Sequence, residues 1–213
     1  MTAAVGAAAA ELAAVPRRSH ARANRARILD AAREELAGDP EASLEEIARA
    51  AGVVRRTVYG HFPNRAVLIE ALVEEAAQAL AETVAAVRRR PEDSVQSALA
   101  RLILASWPVG DRYRMLISIG RRHLGEEKLK SVLAPGRVEA LAILTEGQRS
   151  GAFADHLPPE LLNTALEGLI IALLDADARL ESPRIDGTAA ATAVLIAVGV
   201  APDSARATAQ AVA

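Results

Sequence analysis

Cysteine is absent from this 213-residue chain. Without a thiol the chain can form no disulfide, no thiolate metal site and no cysteine nucleophile. Aromatic residues are also scarce, because Phe, Tyr and Trp together make up 2% of the sequence, whereas apolar residues make up 51%. A core built mainly from Ala, Val, Leu and Ile in long stretches favours helices. The composition therefore predicts an all-α protein, long enough to bury a core.

Long hydrophobic runs are missing as well. The longest apolar stretch, residues 189–201, contains 13 residues and includes a Thr and a Gly, whereas crossing a bilayer takes about 20 apolar residues. Residues 1–16 lack the basic start and the Leu-rich centre of a secretory signal. We therefore expect a cytoplasmic protein with no membrane contact and with a flexible or fraying helical tail over residues 1–19.

Sequence motifs of enzymes and metal sites are also missing. The chain has no phosphate-binding glycine loop, no Gly-x-Ser-x-Gly and no His-Glu-x-x-His. Its four histidines are scattered, without paired carboxylates at metal-ligand spacing. We expect no enzymatic activity, no catalytic residue, no metal and no cofactor.

Charge is unevenly distributed, although the formal net charge is only −2. Residues 17–65 contain ten Arg and seven acidic residues, whereas residues 66–213 carry a net charge of −4. A basic N-terminal segment followed by an acidic remainder indicates a surface that binds an anion such as DNA phosphate. The excess is modest, so a chance distribution is the alternative.

Two short predicted helices near the front of the chain are joined by a tight turn. The segment that begins at Ser43 carries Glu46 three residues later, a capping-box pattern in which each side chain satisfies the other residue's backbone N–H. It ends at Gly52, which suits a left-handed turn. A helix over Val54–Phe62 follows at once, and an earlier one is predicted over residues 24–37. This arrangement is typical of a helix-turn-helix, whose second helix enters the major groove of DNA.

The rest of the chain is also predicted to be helical, with a breaker at each boundary, Pro108 and Pro135 among them. Asn64 can cap a long helix that ends near residue 89. The later helices are predicted over residues 93–106, 111–124, 136–150, 159–181 and 187–200. The predicted domains are a tail over 1–19, a three-helix DNA-binding domain over 20–66 and a larger helical domain over 67–213.

The front of the chain resembles a known family. The segment EASLEEIARAAGVVRRTVYGHFPNRAVLIEAL is similar to the DNA-binding segment of TetR-family transcriptional regulators. That pattern is a capped helix ending Ala-Gly-Val, a recognition helix ending Tyr-x-His-Phe, and a turn with Lys or Arg. Here the corresponding residues are Ala51-Gly52-Val53, Tyr59-Gly60-His61-Phe62 and Asn64-Arg65. The close match covers residues 25–72.

This resemblance implies roles for individual residues in binding DNA. Residues implied to contact phosphate are Ser43, Tyr59, His61 and Arg65, together with Arg22 and Arg25 ahead of the first helix. Residues implied to read base edges are Arg55, Arg56 and Thr57. An Arg can bond a guanine edge in two places and so discriminate between bases. The alternatives are that Arg55 and Arg56 only solubilise an exposed face, and that Tyr59 is a core aromatic.

Two positions depart from the family pattern. Val54 stands where the family often has Ser or Thr, so the recognition helix lacks a side-chain cap, at a cost of about 0.5 to 2 kcal/mol. Gly60 lies inside the same helix and costs about 1 kcal/mol relative to Ala. We expect either that this helix becomes ordered only on DNA, or that Gly60 lets the backbone of the helix approach the duplex closely.

For the larger domain the resemblance implies an effector pocket and a homodimer. The candidate ligand-binding residues are the large or amphipathic ones of the middle helices, namely Trp107, Tyr113, Met115 and His123. The candidate dimer-interface residues lie on the last two long helices and are Leu162, Leu166, Leu169, Leu173 and Val194. Core packing is the alternative for each ligand candidate, and a monomeric core explains the apolar helices as well as a dimer does.

The function implied is that of a sequence-specific DNA-binding transcriptional regulator. In this family it is usually a repressor, which an unknown small-molecule effector releases from double-stranded operator DNA. One alternative is a helical small-molecule-binding protein or enzyme whose DNA-binding domain is vestigial. Another is a protein–protein interaction module that uses the helical body.

Overall fold

The structure, a computed structural model, describes residues 2–88, 94–119, 126–179 and 185–213. Over these residues every regular element is a helix, so the predicted all-α class is confirmed. The helices are α1 (Thr2–Gly38), α2 (Leu44–Ala50), α3 (Arg55–His61), α4 (Arg65–Arg88), α5 (Val95–Arg112), α6 (Met115–Ile119), α7 (Glu126–Arg149), α8 (Pro159–Arg179), α9 (Gly187–Ala197) and α10 (Pro202–Ala211).

The chain divides into two compact units, Met1–Leu72 and Val73–Ala213. In the first unit α2 and α3 pack against α1 and against each other. One apolar face of α1 is buried, as are the inward faces of α2, α3 and the start of α4. The largest buried side chains of this core are Ile28, Leu36, Ile47, Val58, Phe62, Leu68 and Leu72.

In the second unit α5 packs on α7, α9 and α10, while α8 packs on α7 and α9. The shared core consists almost entirely of aliphatic side chains, with Trp107 and Phe153 as its aromatic members. Burying aliphatic surface is the main favourable contribution to such a fold, at about 25 cal/mol per Å². No helix among the described residues combines the length and hydropathy that a bilayer crossing requires.

Two of the prolines predicted to break helices do not do so. Pro108 lies inside α5 and Pro135 lies inside α7, and neither residue ends its helix. An internal proline lacks the N–H of one helical bond and clashes with an earlier carbonyl, which costs about 3 kcal/mol. Both helices make extensive contacts with neighbouring helices of their unit, so tertiary packing outweighs this local penalty. Helix α10 was also missed, because its Ala-rich sequence has only a narrow apolar stripe.

Candidate functional site

The turn between α2 and α3 is built as the sequence predicts. The hydroxyl oxygen of Ser43 accepts a hydrogen bond from the Glu46 backbone N–H at 3.3 Å, and the Glu46 carboxylate accepts one from the Ser43 N–H at 2.8 Å. The hydrogen bonds from Ser43 lower the pKa of Glu46. Gly52 has a φ of 63°, which is the left-handed region. The expected capping box and glycine turn are therefore confirmed.

Helix α3 has one packed side and one polar side. Val58 is fully buried, and Phe62 at the end of the helix is almost so. On the other side Arg55 and Arg56 are exposed, and three neighbours are half-buried, namely Thr57, Tyr59 and His61. The residues implied to read bases thus share the solvent-facing part of the helix. Val54, the N-cap residue, is 70% exposed and its side chain has no atom that can cap.

A carboxylate from α2 reaches across the turn to this polar side. Oε1 of Glu45 accepts a hydrogen bond from the Tyr59 hydroxyl at 2.8 Å and lies 2.8 Å from Nη2 of Arg55. The Arg55 guanidinium also stacks over the Tyr59 ring, 5.1 Å from its centroid. We term these three side chains the Glu45 cluster. Tyr59 is therefore neither a core aromatic nor a freely mobile surface side chain.

The Glu45 cluster has a defined charge state. The hydrogen bond from Tyr59, and less strongly the positive charge of Arg55, lower the pKa of the Glu45 carboxyl. Glu45 is therefore ionised at neutral pH and orients two residues implied to bind DNA. Sequence reasoning missed Glu45, because the contact with Tyr59 joins residues 14 positions apart. Its one sequence signal was an acidic residue within a basic segment.

Arg65 fastens the start of α4 to the loop before α2. Its guanidinium donates hydrogen bonds to the backbone carbonyls of Pro40 and of Ala42, the latter at 3.4 Å. Ala42 directly precedes Ser43, so the structure brings Arg65 to the loop that leads into the α2 cap. Asn64 caps α4, since its side-chain oxygen accepts a hydrogen bond from the Val67 N–H at 3.0 Å.

Arg25 and His61 both lie close to the Phe62 ring. The Arg25 guanidinium carbon lies 5.5 Å from the ring centroid, a cation–π distance, and the His61 ring centroid lies 6.2 Å from it. Arg22 lies one helical turn before Arg25 and is exposed. The structure therefore brings Arg25 from α1 to the C-terminal end of α3.

The second unit contains a cavity of about 150 Å³. Trp107 and Tyr113 line it. Met115 is buried but is not among the lining residues, and His123 lies outside the described residues. The polar part of the wall includes Arg137 and Glu167, whose side chains form a two-bond ion pair between α7 and α8. Sequence reasoning missed both residues, because this contact joins positions 30 apart.

The five dimer-interface candidates face their own chain. Leu162, Leu166 and Val194 are buried in the core of the second unit, and Leu169 and Leu173 are half-buried against it. Side chains enclosed in one chain's core do not form a surface for a partner. The exposed faces of α8 and α9 carry other apolar residues, namely Leu161, Ala165, Gly168, Ala172, Ala189 and Ile196. Sequence periodicity could not select between the faces, because both helices are apolar nearly all round.

Comparison with known families and structures agrees with this geometry. Residues 28–72 match the family described as bacterial regulatory proteins, tetR family. A search of curated proteins finds no match to the chain.

Among solved structures, the chain is similar to the TetR-family transcriptional regulator PfmR from Thermus thermophilus, with 19% identity and a TM-score of 0.64 over 82% of this chain and 95% of that one. It is similar to the MbdR regulator from Azoarcus sp. CIB, with 15% identity and a TM-score of 0.69 over 83% and 97%. It is also similar to the TetR-like transcriptional regulator LfrR from Mycobacterium smegmatis, solved in complex with proflavine, with 23% identity and a TM-score of 0.61 over 89% and 96%. At these identities the likeness shows a shared fold.

Proposed function

We propose that the chain is a TetR-family DNA-binding regulator, because its residues 28–72 match that family and its fold is similar to that of a TetR-family regulator. We propose further that it is a repressor released from its operator by a small-molecule effector. The observation that carries the DNA-binding part is the exposed polar side of α3. There Arg55 and Arg56 project into solvent from a helix whose opposite side is anchored by Val58 and Phe62. A helix that is anchored on one side and carries exposed arginines on the other is suited to the major groove.

The roles proposed within this interface differ between residues. Arg55, Arg56 and Thr57 read base edges, because they lie at the start of α3 and face solvent. Phosphate contacts are assigned to Ser43, Tyr59, His61, Arg65, Arg22 and Arg25. Contacts of this kind fix register and orientation, whereas base contacts specify the sequence. The net positive charge of residues 17–65 adds a salt-dependent attraction that is independent of sequence.

A homodimer is part of the proposal. Operators read by paired helix-turn-helix units have half-sites one helical turn of DNA, about 34 Å, or a multiple of it apart. The exposed faces of α8 and α9 offer a suitable surface, since small residues such as Ala165 and Gly168 allow close helix approach. The buried candidates Leu162, Leu166 and Val194 support that surface from beneath.

The cavity of the second unit is the proposed effector site. An effector can release DNA only if it binds the DNA-free state more tightly than the DNA-bound state. Helix α4 begins in the first unit and ends in the second, so it is the element through which occupancy is transmitted. LfrR was solved with a small molecule, proflavine, and a ligand-responsive function for this chain fits that precedent. A regulator of transcription with these partners acts in the cytoplasm.

Footprinting on DNA upstream of the gene for this protein and of its neighbours tests the proposal. The expected result is protection of two inverted half-sites separated by a whole number of helical turns. If no defined site is protected and the protein binds all DNA fragments with equal affinity, sequence-specific regulation is overturned. That result would favour the alternative of a ligand-binding protein with a vestigial DNA-binding domain.

A further inference from the structure

We propose that the cavity of the second unit takes a neutral, mainly apolar small molecule and discriminates against its carboxylate counterpart. This inference rests on the proposed function of the cavity as the effector site, and it names the chemical class of the effector. Three properties of the wall carry it, namely its aliphatic lining, its size and the pairing of its charges.

The lining is mainly hydrocarbon. Leu99, Ile103, Ile170 and Leu174 from α5 and α8 face the cavity together with the indole of Trp107. Apolar surface of this kind is stabilised by contact with apolar ligand surface. A cavity of about 150 Å³ is similar in size to an engineered apolar cavity that stays dry and binds benzene. The enclosed part of the ligand is therefore about one ring or one short alkyl chain.

The charges of the wall cancel. Among the described lining residues the charged ones are Arg137 and Glu167. Nε of Arg137 lies 2.6 Å from one carboxylate oxygen of Glu167, and Nη2 lies 2.7 Å from the other. This side-by-side geometry is the strong form of the arginine–carboxylate pair. The hydrogen bonds that Arg137 donates to Glu167 raise the pKa of Arg137, so its guanidinium stays charged near neutral pH.

An anionic ligand could bond Arg137 in the same two-bond way only by breaking this pair. Its carboxylate would displace Glu167 from Arg137 and leave Glu167, whose side chain is only 17% exposed, without its counter-charge. A carboxylate left unpaired in a poorly solvated site is strongly disfavoured. Asn163 holds the pair in place, because its amide donates to the Arg137 backbone carbonyl at 2.9 Å. A neutral ligand leaves all these bonds intact.

Trp107 provides the measurement, because it is the single tryptophan of the chain and it lines the cavity. The DNA-free protein is titrated with 1-octanol and, separately, with octanoate at neutral pH. These two probes share one alkyl chain, and neither absorbs where Trp107 does. We expect a saturable change of Trp107 fluorescence with octanol, and binding of octanoate at least about tenfold weaker, a difference of about 1.4 kcal/mol.

Glu167→Gln tests whether the charge of Glu167 causes the discrimination against octanoate. It removes the partner charge from Arg137 but preserves the size of the side chain, so octanoate should bind about tenfold more tightly or better, with octanol little changed. Glu146→Gln is the matched control. It removes the carboxylate of a similar pair with Arg149, which is exposed and outside the cavity lining, and should leave both affinities unaltered. Thermal unfolding of each variant verifies that it is folded.

Three results would overturn the inference. They are octanoate binding the wild type as tightly as octanol, neither probe giving saturable binding, and Glu167→Gln leaving the ratio of the two affinities unchanged. Ala140→Leu, which adds atoms to the cavity wall, must weaken the octanol response, since an unaltered response would place the probe elsewhere.

Effector control is measured separately, by operator affinity in the presence of each probe. Octanol binding without DNA release would overturn effector control and leave the ligand class standing. If octanoate binds more tightly than octanol and releases DNA, the ligand class is overturned and effector control stands.

Discussion

The hydroxyl group of Tyr59 donates a 2.8 Å hydrogen bond to the carboxylate of Glu45, across the turn that separates α3 from α2. The same carboxylate oxygen is paired with Arg55. Two residues assigned to DNA are therefore held in place by an acid, which orients them but also occupies the groups that phosphate and bases require. We expect DNA binding through Tyr59 and Arg55 to release part of this cluster.

Glu45→Gln is expected to tighten binding to non-specific DNA several-fold. The amide still accepts from Tyr59, but it no longer neutralises Arg55 and no longer repels phosphate. Glu34→Gln is the control, because Glu34 is exposed on α1 and its loss changes the net charge equally. Equal effects of the two variants in an anisotropy titration would show that only net charge matters.

The Glu45 cluster should not depend on pH between about 6 and 8. Because the pKa of folded Glu45 is lowered from 4.5, its contribution is complete above the unfolded value and is lost as pH falls through the folded one. The difference in DNA affinity between wild type and Glu45→Gln should therefore be constant from pH 6 to 8. A difference that changes steeply within this range would mean that another titrating group controls the cluster.

Val54→Ser is expected to stabilise α3 by about 0.5 to 2 kcal/mol, because a serine hydroxyl at the N-cap can accept a backbone N–H. Hydrogen exchange of the α3 amides measures the change. Val138→Ser is the matched control, since Val138 is similarly exposed, at 67% against 70%, but lies inside α7. Slower exchange in α3 with Val54→Ser alone is the predicted result, and unchanged exchange would contradict it.

Gly60→Ala is expected to stabilise the free protein by about 1 kcal/mol. A Cβ atom at Gly60 meets no other described atom within 4 Å. Gly60 either destabilises α3 until DNA is bound or leaves space for the duplex, and comparison with Val54→Ser separates these explanations. Both variants stabilise α3, but only Gly60→Ala adds an atom at position 60. We expect tighter operator binding by both. A loss of affinity confined to Gly60→Ala would indicate that the duplex occupies the space of the Cβ.

Ala165→Arg is expected to convert the proposed dimer to a monomer, because it places a charge on the exposed face of α8. Analytical ultracentrifugation gives the mass. Ala142→Arg, a matched change on the exposed face of α7, should leave the dimer intact. Leu162→Ala, in contrast, should lower the stability of the chain by about 2 to 5 kcal/mol, because it removes a buried side chain. A dimer that survives Ala165→Arg would exclude this face.

The features that the sequence predicted are those encoded over a few neighbouring residues. The capping box of Ser43 and Glu46, the turn at Gly52 and the cap at Asn64 each depend on contacts within one helical turn. The features it missed depend on the folded chain. Glu45 meets Tyr59 only after α2 and α3 have packed, and Arg137 meets Glu167 only after α7 and α8 have packed.

At some positions tertiary packing overrides the local sequence signals on which the helix predictions rest. Pro108 and Pro135 carry a strong local penalty, yet their helices continue because neighbouring helices hold them. Leu162 and Val194 belong to helices that are apolar nearly all round, so periodicity could not tell the core face from the exposed face. In a helix with a clearer division between apolar and polar faces, the periodicity would have identified the core face.

The most direct test of the account compares Arg55→Ala with Arg149→Ala in a titration of labelled operator DNA. The two arginines are a matched pair, because their side chains are 69% and 73% exposed and each forms an ion pair with a glutamate. We predict that Arg55→Ala weakens operator binding by about 1 to 3 kcal/mol, roughly 5- to 150-fold, and relaxes the base preference at one position in each half-site. Arg149→Ala should bind as the wild type does. Undiminished operator binding by Arg55→Ala, with unchanged base preference, would contradict the assignment of α3 as the helix that reads DNA.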